Sequence, residues 1–548
     1  MINGFSYKNE DATNAFLNDN LLVSISSRLP SELAHSFKEL GNFVNTKKAK
    51  DLARLANAHS PIFHHKNCWG KEQPFIEMHP AYHALLRRSK QIGLSSSLWD
   101  NNTQENGFRY QTRALRLFLM AGLENGHLSE IISTNAGIIA LASSSTLYER
   151  WKSVILSREH DSTAASLVQK KGASLAFAFE GNGNLSKAHS KQYIANPLPH
   201  DKRSLLTSPV FSSSVPIYQI NAAGSRVINA NADAFFVSAY LEGQLSCFLV
   251  PYFYDNGIVN GIKINYLIEE AGYKSCPVAQ VDFNNSFAWL VGEIGAGGKV
   301  IEDVETLLRF DEAIIAAGNL RAALAFALAY LKQNGENIPQ LTLRVFADMA
   351  LDIAAAEALV MRIAYAFDHA TQEKNEAAYA HVMAPIAAFW INNLVSHIIG
   401  EILVHLDPAA YEENAYVARL FKDSCVRLMR SQNANKLVED VIQSARKAPK
   451  LFQELIANLG SKIQPFGEKT AQVLYAALQI ALNDVSSGRL FLEQFAYTAS
   501  LAALNDLDFD IISTAFAESR LGGQWRSSYG MLSARYNVQK ILETLYPL

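Results

Sequence analysis

The chain has 548 residues, too many for one ordinary hydrophobic core, which predicts three or four structural regions. Hydrophobic residues make up 49% and charged residues 18%, which excludes a disordered chain. The net charge of −3 excludes a global electrostatic pull toward nucleic acid or an anionic membrane.

Cys68, Cys247, Cys276 and Cys425 lie far apart with no C-x-x-C spacing, and read as reduced thiols of a cytoplasmic protein. The first eleven residues are polar and acidic, unlike a targeting segment. The most apolar runs, 131–141 and 322–331, fall short of the roughly 18 residues a membrane helix needs. No membrane partner is expected.

Residues 11–160 read as helical. Apolar residues recur at helical spacing at Tyr82, Leu85, Leu86 and Ile92, then at Leu115, Leu117, Phe118 and Leu123. Pro61, Pro74 and Pro80 interrupt the run, and Ser95–Ser97 with Asp100–Asn102 mark a loop. Near Ala173 the helical period gives way to short β-rich runs. Residues 234–240 and 245–251, separated by Glu242-Gly243-Gln244, predict a hairpin, and 262–268 and 278–283 predict further strands of a small sandwich or barrel. Beyond Gly297-Gly298 the helical period returns. Residues 314–331, alanine-rich with Arg321 as the only charge, predict a buried helix, and 345–368 and 377–404 predict long helices. Further helices follow Asn435. The expected fold class is α+β multi-domain: an N-terminal helical domain (1–165), a middle β domain (166–292), a helical bundle (293–436) and a C-terminal helical extension (437–548).

Several motifs narrow this architecture. Arg54-Leu55-Ala56-Asn57, Met78-His79-Pro80-Ala81-Tyr82-His83, Leu98-Trp99-Asp100 and Glu124-Asn125-Gly126-His127 resemble the N-terminal region of the AidB-like branch of the acyl-CoA dehydrogenases. The strand ending in Pro251, the turn Gly272-Tyr273-Lys274-Ser275, Val281-Asp282-Phe283, the return to helix from Ala288 to Gly297, and Arg309-Phe310-Asp311 are similar to the family in the same order. The resemblance covers about Arg54 to Asn435. It implies a helical, β, helical fold, FAD held between the β domain and the second helical domain, and a glutamate that removes the substrate α-proton. It also implies oligomers assembled through the C-terminal helical domain.

The chemistry motifs depart from the pattern. The base must be a carboxylate placed close to a poorly acidic α-carbon. The family's base position falls on Ser431, or on Met429 in a shifted match, and the second family position falls on Leu308. The flavin-ring segment falls on residues 179–186, where Phe179 replaces a hydroxyl and Glu180 is retained. A second ring segment reduces to Val227-Ile228-Asn229. The arginine element expected after Tyr330 is missing, and the dinucleotide loop reduces to Gly400-Glu401, so the pyrophosphate loses charge pairing and backbone access. Glu180, Asn229 and Asn435 remain as residual cofactor contacts and Arg309 as a substrate-pocket residue, with an ion pair to Asp311 or Glu312 as its competing role.

No metal site is expected: His79 and His83 match a helix start, and Gly295-x-Gly297-Gly298 lacks a following Lys-Ser/Thr and reads as a turn. Three functions fit. The leading one is a non-catalytic paralogue, without flavin or with FAD weakly bound, acting in a homo- or hetero-oligomer. The second is an FAD-dependent acyl-CoA dehydrogenase with a relocated base at Asp311, Glu312 or Glu401. The third is DNA binding as credited to AidB-like proteins, disfavoured because about ten Lys and Arg stand against about eleven Asp and Glu from Leu437 onward.

Overall fold

The computed structural model describes residues 14–66, 69–70, 72–100, 105–179, 193–198, 216–333, 338–430, 434–464, 466–522 and 528–547. Glu180, Ser431 and Cys68 lie outside them.

The chain opens with α1 (Asn20–Ser26), α2 (Ser31–Asn45) and α3 (Lys47–Ala58). A hairpin, β1 (Ile62–Lys66) and β2 (Glu72–Glu77), then interrupts the expected all-helical stretch, with Phe63 opposite Ile76 and His64 opposite Phe75. Each strand is only five or six residues long, too short to stand out against the flanking helices, and Ile62, Phe63, Phe75 and Ile76 are the only β-favouring residues within the two strands. The helices α4 (Pro80–Gln91), α5 (Arg109–Ala121), α6 (Gly126–Ala142) and α7 (Ser145–Ile155) follow, α5 and α6 almost wholly buried.

The β region comprises β3 (Leu175–Phe179), β4 (Ile194–Pro197), β5 (Ile217–Ile228), β6 (Ala234–Leu241), β7 (Gln244–Pro251), β8 (Ile262–Leu267) and β9 (Val278–Val291). Pairings β3–β5, β5–β9, β9–β7, β7–β6 and β6–β3 return to their starting strand, so the sheet closes into a barrel. Glu242 and Gly243 both take positive φ (51° and 79°), the two-residue turn the hairpin needs. Ala176, Phe235, Val237, Phe248 and Phe283 fill the barrel interior, while their neighbours Leu175, Phe177, Phe236, Leu249 and Trp289 pack outward into the helical core. Burial on both faces is why residues 234–251 read as nearly continuous apolar runs. It also explains one correction: 288–291, read as the return to helix, is the end of the 14-residue β9.

Three long helices form the second helical layer: α8 (Gly297–Gln333), α9 (Gln340–His369) and α10 (Lys374–Val404). Both α8 and α10 are long and apolar enough to cross a membrane, beyond what the short runs implied, but 67% and 78% of their apolar windows are buried inside the molecule. The lone charge of the alanine-rich stretch, Arg321, is neutralised by Asp19 at 2.6 Å. Next come α11 (Tyr416–Arg430), α12 (Ala434–Lys447), α13 (Pro449–Lys462), α14 (Gly467–Asn483), α15 (Gly488–Asn505), α16 (Asp510–Phe516) and α17 (Val538–Leu545). Here α15 packs on α9 and α10, and α17 returns to α1, where Asn20 donates to the Thr544 carbonyl at 3.0 Å.

Candidate functional site

The barrel meets the helices at the N-terminus of α6, the end of β5, the turn 270–276 and the end of α11. Glu124 stands just before α6 and accepts from the backbone N–H groups of Gly126 (2.8 Å) and His127 (2.9 Å) and from the Ser275 hydroxyl (2.7 Å). His127 Nδ1 lies 2.9 Å from the same carboxylate. Burial pushes the Glu124 carboxyl up, but the His127 contacts and the Ser275 hydrogen bond outweigh it and hold the group below its ordinary value. The carboxylate therefore sits charged at the positive end of the helix. The backbones approach so closely that a Cβ on Gly126 would lie 1.9 Å from Ser275 Oγ.

The turn that presents Ser275 is pinned on its other side to α11. Tyr273 takes a φ of 52°, and its N–H donates to Asp423 Oδ1 at 2.6 Å. Asn125 donates to Asp423 Oδ2 at 2.8 Å, so one buried carboxylate ties the turn to the start of α6.

At the end of α11, Arg430 reaches inward. Its Nη1 donates to Ser129 Oγ on α6 at 2.9 Å and its Nε to Glu270 Oε2 at 3.0 Å, with the guanidinium 4.2 Å from the centre of the Tyr273 ring. Arg226 on β5 also pairs with Glu270. Burial opposes the charge on Arg430, but Cys276, Glu270 and Tyr273 raise its pKa above the usual arginine value. Arg427, one turn earlier, binds Glu312 (2.8 Å) and Asn319 (2.7 Å).

The network continues to β5. Asn229 is fully buried with a φ of 65°, donates to Ser133 Oγ at 3.2 Å and accepts from the Cys276 thiol at 3.3 Å. Burial pushes that thiol up. Next to it, the Glu130 carboxylate on α6 accepts from Tyr82 (2.8 Å) and Asn231 (3.2 Å), with the Lys90 ammonium 4.0 Å away.

The structure thus places the expected residues unevenly. Leu308 is partly buried apolar packing on α8, and Met429 is 55% exposed. Of the site residues, Asn229 lies in the network, whereas Asn435 sits on the surface at the start of α12, accepting from Arg489. Arg309 pairs with Glu305 (3.1 Å) and Asp440 (2.6 Å), not with Asp311 or Glu312. The correction has a geometric cause: Asp311 is bound through both oxygens to the buried Arg113, and Glu312 is taken by Arg427. Glu401, the third carboxylate considered for a relocated base, lies 3.6 Å from His405. Arg430, Ser129 and Glu270 were missed; no local motif announces them.

Among the described residues no group of three or more His, Cys, Asp or Glu could hold a metal ion. His79 caps α4 by accepting from Ala81 N at 3.1 Å, and His83 meets His160 at 2.9 Å.

This arrangement of helices, barrel and second helical layer is the acyl-CoA dehydrogenase fold. Residues 7–162 match the model of the adaptive response protein AidB N-terminal domain, and 295–429 match the acyl-CoA dehydrogenase C-terminal domain. The apo-form of Bd2924 superposes with a TM-score of 0.80 at 18% identity, covering 91% of this chain and 98% of that one. Caenorhabditis elegans ACDH-11 in complex with C11-CoA gives a TM-score of 0.78 at 17% identity, covering 100% of this chain and 93% of that one. AidB of Escherichia coli (strain K12) is 26% identical over 450 residues, 81% of this chain and 80% of that protein. The chain belongs to the AidB-like branch of the acyl-CoA dehydrogenase superfamily.

Proposed function

We propose that this protein keeps the acyl-CoA dehydrogenase scaffold without its flavin chemistry and acts as a non-catalytic paralogue, assembling with copies of itself or with an active relative through its C-terminal helices. The observation that carries the reading is Arg430. It directly precedes the family's base position, and it points into the site as a cation bonded to Ser129 and Glu270. A fixed guanidinium is the opposite of what proton abstraction needs, since it neither takes a proton nor leaves room for a free carboxylate.

The surrounding residues support the same reading. Asn229 has both amide atoms engaged by Ser133 and Cys276, so it is a poor fit for an isoalloxazine edge. Two of the carboxylates considered as a relocated base, Asp311 and Glu312, are each committed to an arginine. Redeploying either would leave a buried guanidinium unpaired, a cost of about 3–5 kcal/mol.

The test is the absorption spectrum of the purified chain before and after incubation with excess FAD. A colourless protein that takes up no flavin agrees with the proposal. A flavin spectrum that survives gel filtration contradicts it.

A further inference from the structure

An open cleft of about 290 Å³ lies on the helical side of the molecule, walled by Trp99, Tyr110, Leu307 and Phe367 with Asp303 and His381 at its rim. It is separate from the network around Arg430. Helical spacing puts Asp303, Thr306 and Leu307 on one face of α8 and Leu308 and Glu312 on the opposite face.

Its walls are held in place. Trp99 Nε1 lies 3.2 Å from both the carbonyl and the side-chain oxygen of Asn135. Tyr110 stacks on Phe367 with ring centres 4.9 Å apart, and Phe367 rests on Phe310 at 5.1 Å. All three lining rings are half-buried, so they are fixed in the wall yet reachable from outside. At the exposed mouth stand Asp303 and His381. No Lys or Arg is among the lining residues; Asp303 makes no hydrogen bond or close ion pair among the described residues, and the cationic groups that act on its carboxyl are His381 and Lys299.

We propose that this cavity binds a small organic cation, a primary or quaternary ammonium, held against the Trp99, Tyr110 and Phe367 rings with Asp303 as its counter-ion. Ring faces carry negative potential and attract ammonium groups, most strongly where water is partly excluded. A carboxylate at the mouth adds to that attraction and repels an anionic ligand such as a fatty acid. The volume lies at the small end of ligand sites, so the ligand is a small molecule.

The experiment titrates the full-length protein with choline and, separately, with 3,3-dimethylbutan-1-ol, its uncharged isostere, followed by saturation-transfer NMR. Saturable choline binding, at least about tenfold weaker for the isostere, is expected. Asp303→Asn and Phe367→Leu should each weaken choline several-fold while leaving the far-ultraviolet circular dichroism unchanged. Equal binding of the two probes, absence of saturable choline binding, tighter binding of hexanoate than of choline, or indifference to Asp303→Asn would each overturn the proposal.

Discussion

Arg430 and Ser129, 301 residues apart in sequence, meet at 2.9 Å and close the junction between α11 and α6. The same guanidinium satisfies Glu270, whose side chain is 6% exposed. Arg430→Ala would leave that carboxylate with Arg226 alone in a buried setting, so a loss of about 3 kcal/mol is expected. Arg430→Lys should recover part of it, because an ammonium keeps the charge but lacks the fork that serves two partners. Urea denaturation of the variants measures this. A loss below about 1 kcal/mol for Arg430→Ala would mean that the junction is held by packing.

Acid should loosen the contact between the N-terminal helices and the linker into the barrel. Burial lowers the pKa of His160 from 6.5 to about 4, against the opposing pull of Glu130. Because the folded value lies below the unfolded one, the unfolded chain binds the proton first, and stability rises with pH across this window. The contribution is intact above pH 6.5, falls as pH drops toward about 4, and is flat below that. The full span is about 3 kcal/mol. His160→Asn should flatten the window relative to the parent protein in denaturation curves collected at about pH 7 and pH 5. Parallel pH slopes for both proteins would assign the acid sensitivity elsewhere.

Gly272 lets the turn lie directly on α11. A Cβ there would stand 2.5 Å from the Lys422 carbonyl oxygen, backbone that cannot swing aside. Gly272→Ala is therefore expected to cost about 1–3 kcal/mol. Gly298→Ala, where a Cβ meets nothing within 4 Å, is the matched control. Thermal melts of the pair decide it: equal midpoints would show that the turn can lift off the helix without penalty.

Much of this fold was readable from changes in periodicity. The shift from helical spacing to short β runs near Ala173, and back beyond Gly297, marks where the barrel begins and ends. The hairpin β1–β2 was hidden because two short strands barely register against long helices. The site was legible only where a family motif lay on it, as at Asn229. Arg430 carries no local signal, since its partners Glu270 and Ser129 are 160 and 301 residues away. Arg309 shows the limit in part: its expected partner was Asp311 or Glu312, whereas it pairs with Glu305 one turn earlier on the same helix and with Asp440 from 131 residues away.

On the proposed reading, a carboxylate at the second base position does not by itself confer dehydrogenation. Leu308→Glu would place an acid beside Arg309, at the second position the family uses for its base. A base is useful only if the hydride leaving the neighbouring carbon has an acceptor, and here Asn229 is bonded to Ser133 and Cys276. The variant is therefore expected to reduce no artificial electron acceptor when given medium-chain acyl-CoA, with or without added FAD. Flavin-dependent turnover would instead show that the scaffold still binds its cofactor and lacks only the base. No turnover, together with no flavin uptake, would place the loss at the cofactor site as well as at the base.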